Sequence, residues 1–175
     1  MAVWGSSIDE LKSSYKTKPL NEAPESIEFR DYYQSDAGRI QVSYEYHFDP
    51  HAGLIQYTFF VASHNKKEND IVADLVKETR EKIMAFPDVQ ALDVQADYFA
   101  GEKMMGGGYT LKRRVVFDGK YRLQDETVRL TLESAKEIFN NDLGYTFRLV
   151  CVGPGWNLTK GPTDYRQASE ISKIR

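Results

Sequence analysis

The chain reads as an α+β protein, an antiparallel or mixed sheet with a long N-terminal hairpin, two packed helices and an extended C-terminal tail. Three observations predict this. Apolar and polar residues alternate from Ile40 to Val61, the apolar period changes from 2 to 3.6 between Asn69 and Phe86, and alternation resumes beyond Pro87.

Each element has a local reason. Ser7 and Glu10 match a capping box, and Ile8, Leu11 and Tyr15 follow at helical spacing, so a short helix is expected there. Residues 16–25 carry two prolines and no apolar period and read as a connector. Ser26–Tyr33 is strand-like and ends at the turn chemistry of residues 35–38. Ile40, Val42, Tyr44, Tyr46 and Phe48 then define one face of a strand, and Ile55, Tyr57, Phe59 and Val61 the same face of its return, joined through Asp49–Gly53. Val72, Leu75, Val76, Thr79, Ile83 and Phe86 form the stripe of the main helix, with Asn69 as its cap and Pro87 at its end. Leu92, Val94, Ala96 and Tyr98 mark a further strand. Tyr109–Phe117 marks another, with Asp118-Gly119 as a two-residue turn signal. Residues 125–143 satisfy strand and helix patterns at once; the helical spacing of Ala135, Phe139 and Leu143 predicts a helix from about Glu133, stopped at Gly144. Tyr145–Val152 is the last strand. From Leu54 the order strand, helix, strand, strand, helix, strand permits a ferredoxin-like sandwich. The expected organisation is a helix and connector over 1–25, one α+β domain over 26–152 and a tail over 153–175.

Composition narrows the function. A formal charge of −3 disfavours a chain that coats nucleic acid or an anionic membrane over its whole surface. One cysteine forms no internal disulfide, the opening residues have no secretory character and no apolar run reaches a membrane span, so a soluble cytoplasmic protein is expected. No nucleophile elbow, P-loop, dinucleotide fingerprint or zinc-protease motif occurs. His47, Asp49 and His51 form a ligand-type set at one hairpin end, but the return strand carries His64 roughly 25 Å away, so no metal is expected. Cys151 alternates with Phe147 and Leu149 and reads as core filling. Asp93 and Asp97 share a strand face with backbones about 13 Å apart, too far for a coupled acid/base pair. Neither catalytic residues nor a cofactor are expected.

Gly101–Arg122 holds six basic and two acidic residues, a local +4. Lys103, Gly106, Gly107, Gly108, Lys112 and Arg114 are its candidate anion or nucleic-acid contacts, because consecutive glycines can turn N–H groups toward a phosphate. Lys112 and Arg114 share one strand face and Arg113 takes the other, so no single basic row forms.

The stretch IQYTFFVAS, the helix NDIVADLVKETREKIMAF, then DVQALDVQADYF and YTLKRRVVF, resembles small phage tail-terminator and tail-completion proteins in element order, over about 60 residues and without a shared motif. The resemblance implies a non-enzymatic subunit of a ring or collar in a virion tail or neck. Independently, a long aromatic hairpin and a tail with isolated anchors point to a homo-oligomer or a larger assembly. Tyr44, Tyr46, Trp156, Leu158, Tyr165 and Ile171 are the expected interface residues, because large side chains dominate hot spots. A nucleic-acid- or phosphate-binding module is the alternative, and an enzyme of unrecognised class the second.

Overall fold

The capping box forms as spaced. Glu10 N donates to Ser7 Oγ at 3.3 Å and Ser7 N to Glu10 Oε2 at 2.8 Å, opening helix α1 (Ile8–Ser14). The computed structural model describes residues 3–104, 110–137 and 143–156. Its strands are β1 (Asn21–Ala23), β2 (Ser26–Ser35), β3 (Gly38–Asp49), β4 (Gly53–Ala62), β5 (Gln90–Met104), β6 (Thr110–Leu123), β7 (Glu126–Glu137) and β8 (Leu143–Val152), with helix α2 (Lys66–Met84) between β4 and β5.

All eight strands lie in one antiparallel sheet, in the order β1-β2-β3-β4-β8-β7-β6-β5. This corrects the ferredoxin-like expectation: the fold is sheet-dominated, and neighbours in sequence are neighbours in space except where α2 carries the chain from β4 to the far edge. β5 runs parallel to β4 four places away, a span that a helix of this length covers at about 1.5 Å per residue.

Four local expectations change with the topology. The segment from Glu133 is the second half of β7, paired on both sides with β6 and β8. Val128, Leu130, Leu132 and Ser134 alternate inward, so two flanking ladders outweigh the helical spacing. Gly144 therefore stops no helix and sits inside β8 opposite Ala135. Asp118-Gly119 is not a turn: Gly119 pairs with Val94 and Leu130, and the chain reverses at Gln124, which adopts the left-handed region at φ 52°. Asn65, not Asn69, caps α2 by accepting from Glu68 N at 3.0 Å, whereas Asn69 bonds the Ser63 hydroxyl. Part of the expected connector forms β1.

One face of the sheet holds the core. α2 lays Ile71, Val72, Leu75, Val76 and Ile83 on β3 and β8, where Phe147 has no exposed surface, and Leu130 on the adjoining β7 has none either. α1 closes the other end of the face with Leu11, beside Ile27, Phe29 and Phe48, and Tyr15 stacks on Phe29 at 4.0 Å between ring centroids. Trp4 bridges the two clusters and donates to Glu126 Oε1 at 2.5 Å.

Gly119 is required by packing. A Cβ there would stand 2.8 Å from the rings of both Phe117 and Tyr121, which close over the gap. Gly119→Ala is expected to lower stability by about 1–3 kcal/mol through overpacking, measured as a lower urea midpoint at unchanged m value. An unaltered midpoint would mean that both rings yield without cost.

Candidate functional site

The cover given by α2 runs out before the sheet does. Arg80 places its guanidinium 4.1 Å from the centroid of Phe117, and beyond that contact every residue from Gln90 to Ala100 is exposed. Leu92 is 41% exposed, Val94 48% and Phe99 65%, and Met84 at the end of α2 and Phe86 just beyond it are exposed as well. Monomeric surfaces rarely gather large apolar side chains in this way. A recess of about 210 Å³ between Trp4, Phe86, Leu123 and Pro154 continues the rim toward the end of β8.

β5 is also irregular. Its register to β6 shifts between Ala91 and Asp93 and again between Phe99 and Gly101, leaving a regular segment from Asp93 to Phe99. Within it Asp97 adopts φ 62°, and the adjoining strand β6 bulges between Val115 and Phe117. The expected alternation therefore breaks. Val94 and Ala96 pair with Gly119 and Phe117, while the Tyr98 hydroxyl turns to Asp118 on the opposite face.

That opposite face carries a polar network. Asp118 accepts from Arg129 Nε at 2.9 Å and Nη2 at 2.5 Å and from Thr131 Oγ1 at 3.4 Å, and Arg113 pairs with Glu133. On the anion candidates, Lys112 stands 3.6 Å from Glu102 and Arg114 2.5 Å from Asp97, so neighbouring acids on β5 meet both cations. Lys103 is described by its backbone place in β5, and Gly106, Gly107 and Gly108 lie outside the described residues.

Of the expected interface residues, Tyr46 is inside the chain's own core, its hydroxyl bonded to that of Tyr15, and Tyr44 is half-buried against Phe59. Trp156 is half-buried, with its backbone N–H donating to Gly153 O at 3.2 Å. Leu158, Tyr165 and Ile171 lie outside the described residues. The rim residues Met84, Phe86 and Phe99 had no separate sequence signal, because apolar residues in an amphipathic pattern read as core.

The hairpin histidines do not converge. Asp49 Oδ1 accepts from the N–H groups of His51 and Ala52 and so shapes the turn, and His47 Nε2 lies 3.5 Å from Glu45, which holds that carboxyl below its usual range. Among the described residues no three His, Cys, Asp or Glu side chains come together as metal ligands, and no helix is long and apolar enough to cross a membrane. Cys151 lies in the core beside Tyr57, where burial pushes its thiol up to about 12.

No family model matches this chain, and no curated protein does. Among solved structures, the crystal structure of the di-domain ARO/CYC StfQ from the steffimycin biosynthetic pathway aligns with 89% of this chain and 80% of its own. Identity is 9% and the TM-score 0.16, a likeness from which neither fold nor activity is carried over.

The Cys151 thiol sets a pH dependence. Its folded value exceeds the ordinary 9.0, so above pH 9 the unfolded chain releases a proton that the native state keeps, and stability falls as pH rises toward 12. Between pH 8 and pH 11 the urea midpoint of Cys151→Ala is expected to fall less than that of the native sequence. Equal falls would place the thiolate in solvent.

Proposed function

We propose that this chain is a non-enzymatic assembly subunit that associates with a second copy of itself through β5 and the adjoining end of α2. The observation that carries this reading is the exposed edge strand with Leu92, Val94 and Phe99 uncovered. The other edge differs in kind, being the three-residue β1 and, beyond it, a stretch of β2 that includes Arg30, Asp31 and Gln34. Pairing β5 with β5 about a two-fold axis covers apolar edge with apolar edge; pairing it with the polar edge would not.

Charge selects the register. Centred on Ala96, the middle of the regular segment, an antiparallel pair sets Gln95 opposite Asp97 and Asp93 opposite Phe99, and no like charges meet. Centred one residue later it would set two Asp97 carboxylates face to face. A stable interface needs roughly 800 Å² from each partner, more than a short strand edge supplies, so Met84 and Phe86 belong to the contact. A virion tail or neck, the setting that element order suggests, would use such dimers as building units. The acids beside Lys112 and Arg114 favour this reading over the nucleic-acid alternative.

Sedimentation velocity is expected to show a concentration-dependent dimer, and Leu92→Lys with Val94→Lys is expected to weaken it at least about tenfold without altering the far-UV circular dichroism. A native chain that stays monomeric up to about 100 μM would overturn the proposal.

A further inference from the structure

A cleft of about 440 Å³ opens on the side of the sheet that carries Arg30, Ser43 and Phe60, at the end remote from β5, with Glu68 of the first turn of α2 in its wall. The volume lies in the range of small-molecule sites, roughly 300–1,000 Å³. Its floor follows from strand register. Arg30 pairs with Ser43, Ser43 with Phe60 and Phe60 with Arg148, so one row across four strands runs cation, hydroxyl, phenyl ring, cation. With strands about 4.8 Å apart, Phe60 sits some 10 Å from the backbone of Arg30, about the length of a benzene ring with one substituent, and about 5 Å from that of Arg148.

The polar groups leave this row open to an anion. Arg39 sets its guanidinium carbon 3.4 Å from the centroid of the Tyr32 ring, a cation–π contact that consumes none of its N–H donors on a carboxylate. Arg30 is 3.8 Å from Glu28, a separation at the limit of an ion pair, and its side chain is half exposed. The acid in the wall, Glu68, accepts from the backbone N–H of His64 at 2.6 Å. Arg148 stands 5.8 Å from the Phe60 ring centroid, outside the cleft lining, and its charge helps to hold the Glu45 carboxyl below its usual range, so the anion falls to Arg30 and Arg39.

We infer that this cleft binds a small aryl oxyanion, its ring against Phe60 and its phosphate or carboxylate on Arg30 and Arg39. A planar guanidinium fork matches either oxyanion, and an apolar ring beside it selects ligands that carry a flat body. The site is separate from the β5 rim, so it stands or falls independently of the dimer.

Amide and arginine Nε–H signals of the full chain, recorded by NMR during titration, provide the test, with phenyl phosphate and benzoate as probes and inorganic phosphate and benzyl alcohol as controls. Saturable shifts confined to Arg30, Arg39, Ser43 and Phe60 are expected with one or both probes, and binding at least about tenfold weaker with either control. Arg39→Gln is expected to weaken the probe about tenfold or more, and Phe60→Leu to bring it to the level of inorganic phosphate. Arg30→Gln repeats the test should either variant fail to give the native spectrum. Shifts absent or spread elsewhere would overturn the site, and inorganic phosphate binding as well as phenyl phosphate would overturn the role of the ring.

Discussion

The structure depends on one mismatch of dimensions: a single long helix must cover a sheet eight strands wide. A helix with its side chains is about 10–12 Å across and strands lie about 4.8 Å apart, so α2 shelters two or three strands at a time. It is seated over β3 and β8, with β4 between them, and there the core is driest, at Val72 and Phe147. Everything farther out is covered by other means. α1 and the ring of Tyr15 serve the β2 side, Trp4 closes the end of the face between Tyr57 and Glu126, and Arg80 lies over Phe117 on the β6 side. The β5 rim is what remains when those means are used up.

The second face solves a different problem, because no layer covers it. Long side chains shelter one another there: the Asp118 carboxylate is only 12% exposed because Arg129 and Thr131 close on it. Such pairs fix side-chain positions on an open sheet and leave recesses between them. The cleft between Arg30 and Phe60 is one of these, and strands supply most of its lining.

Local rules were legible where one interaction dominates. The Ser7–Glu10 box and the aromatic hairpin follow from short-range spacing and stand where it places them, and the α2 stripe does so from Val72 to Ile83, while Phe86 falls beyond the helix and is exposed. β7 was not legible, because Thr127–Leu132 and Ala135 satisfy both periods and only the ladders on either side decide between them. Gly119 carries an ordinary turn signature whose meaning changes once Phe117 and Tyr121 close over it. The cleft was least legible of all. Arg30, Arg39, Phe60 and Arg148 come from four strands, and no spacing within any one strand marks them as neighbours.

The antiparallel order also has a kinetic side. β2–β3–β4 and β5–β6–β7–β8 are each runs of hairpins whose contacts are local, and such runs zip quickly. The seam between them pairs Gln56 with Val152 and Ala62 with Thr146, which closes a loop of about half the chain. Loop closure of that length is slow, so the two halves meet late, and Trp4 can settle on Gly153 and Glu126 only after they do. A chain emerging from the ribosome therefore carries β4 as an open edge until β8 is made.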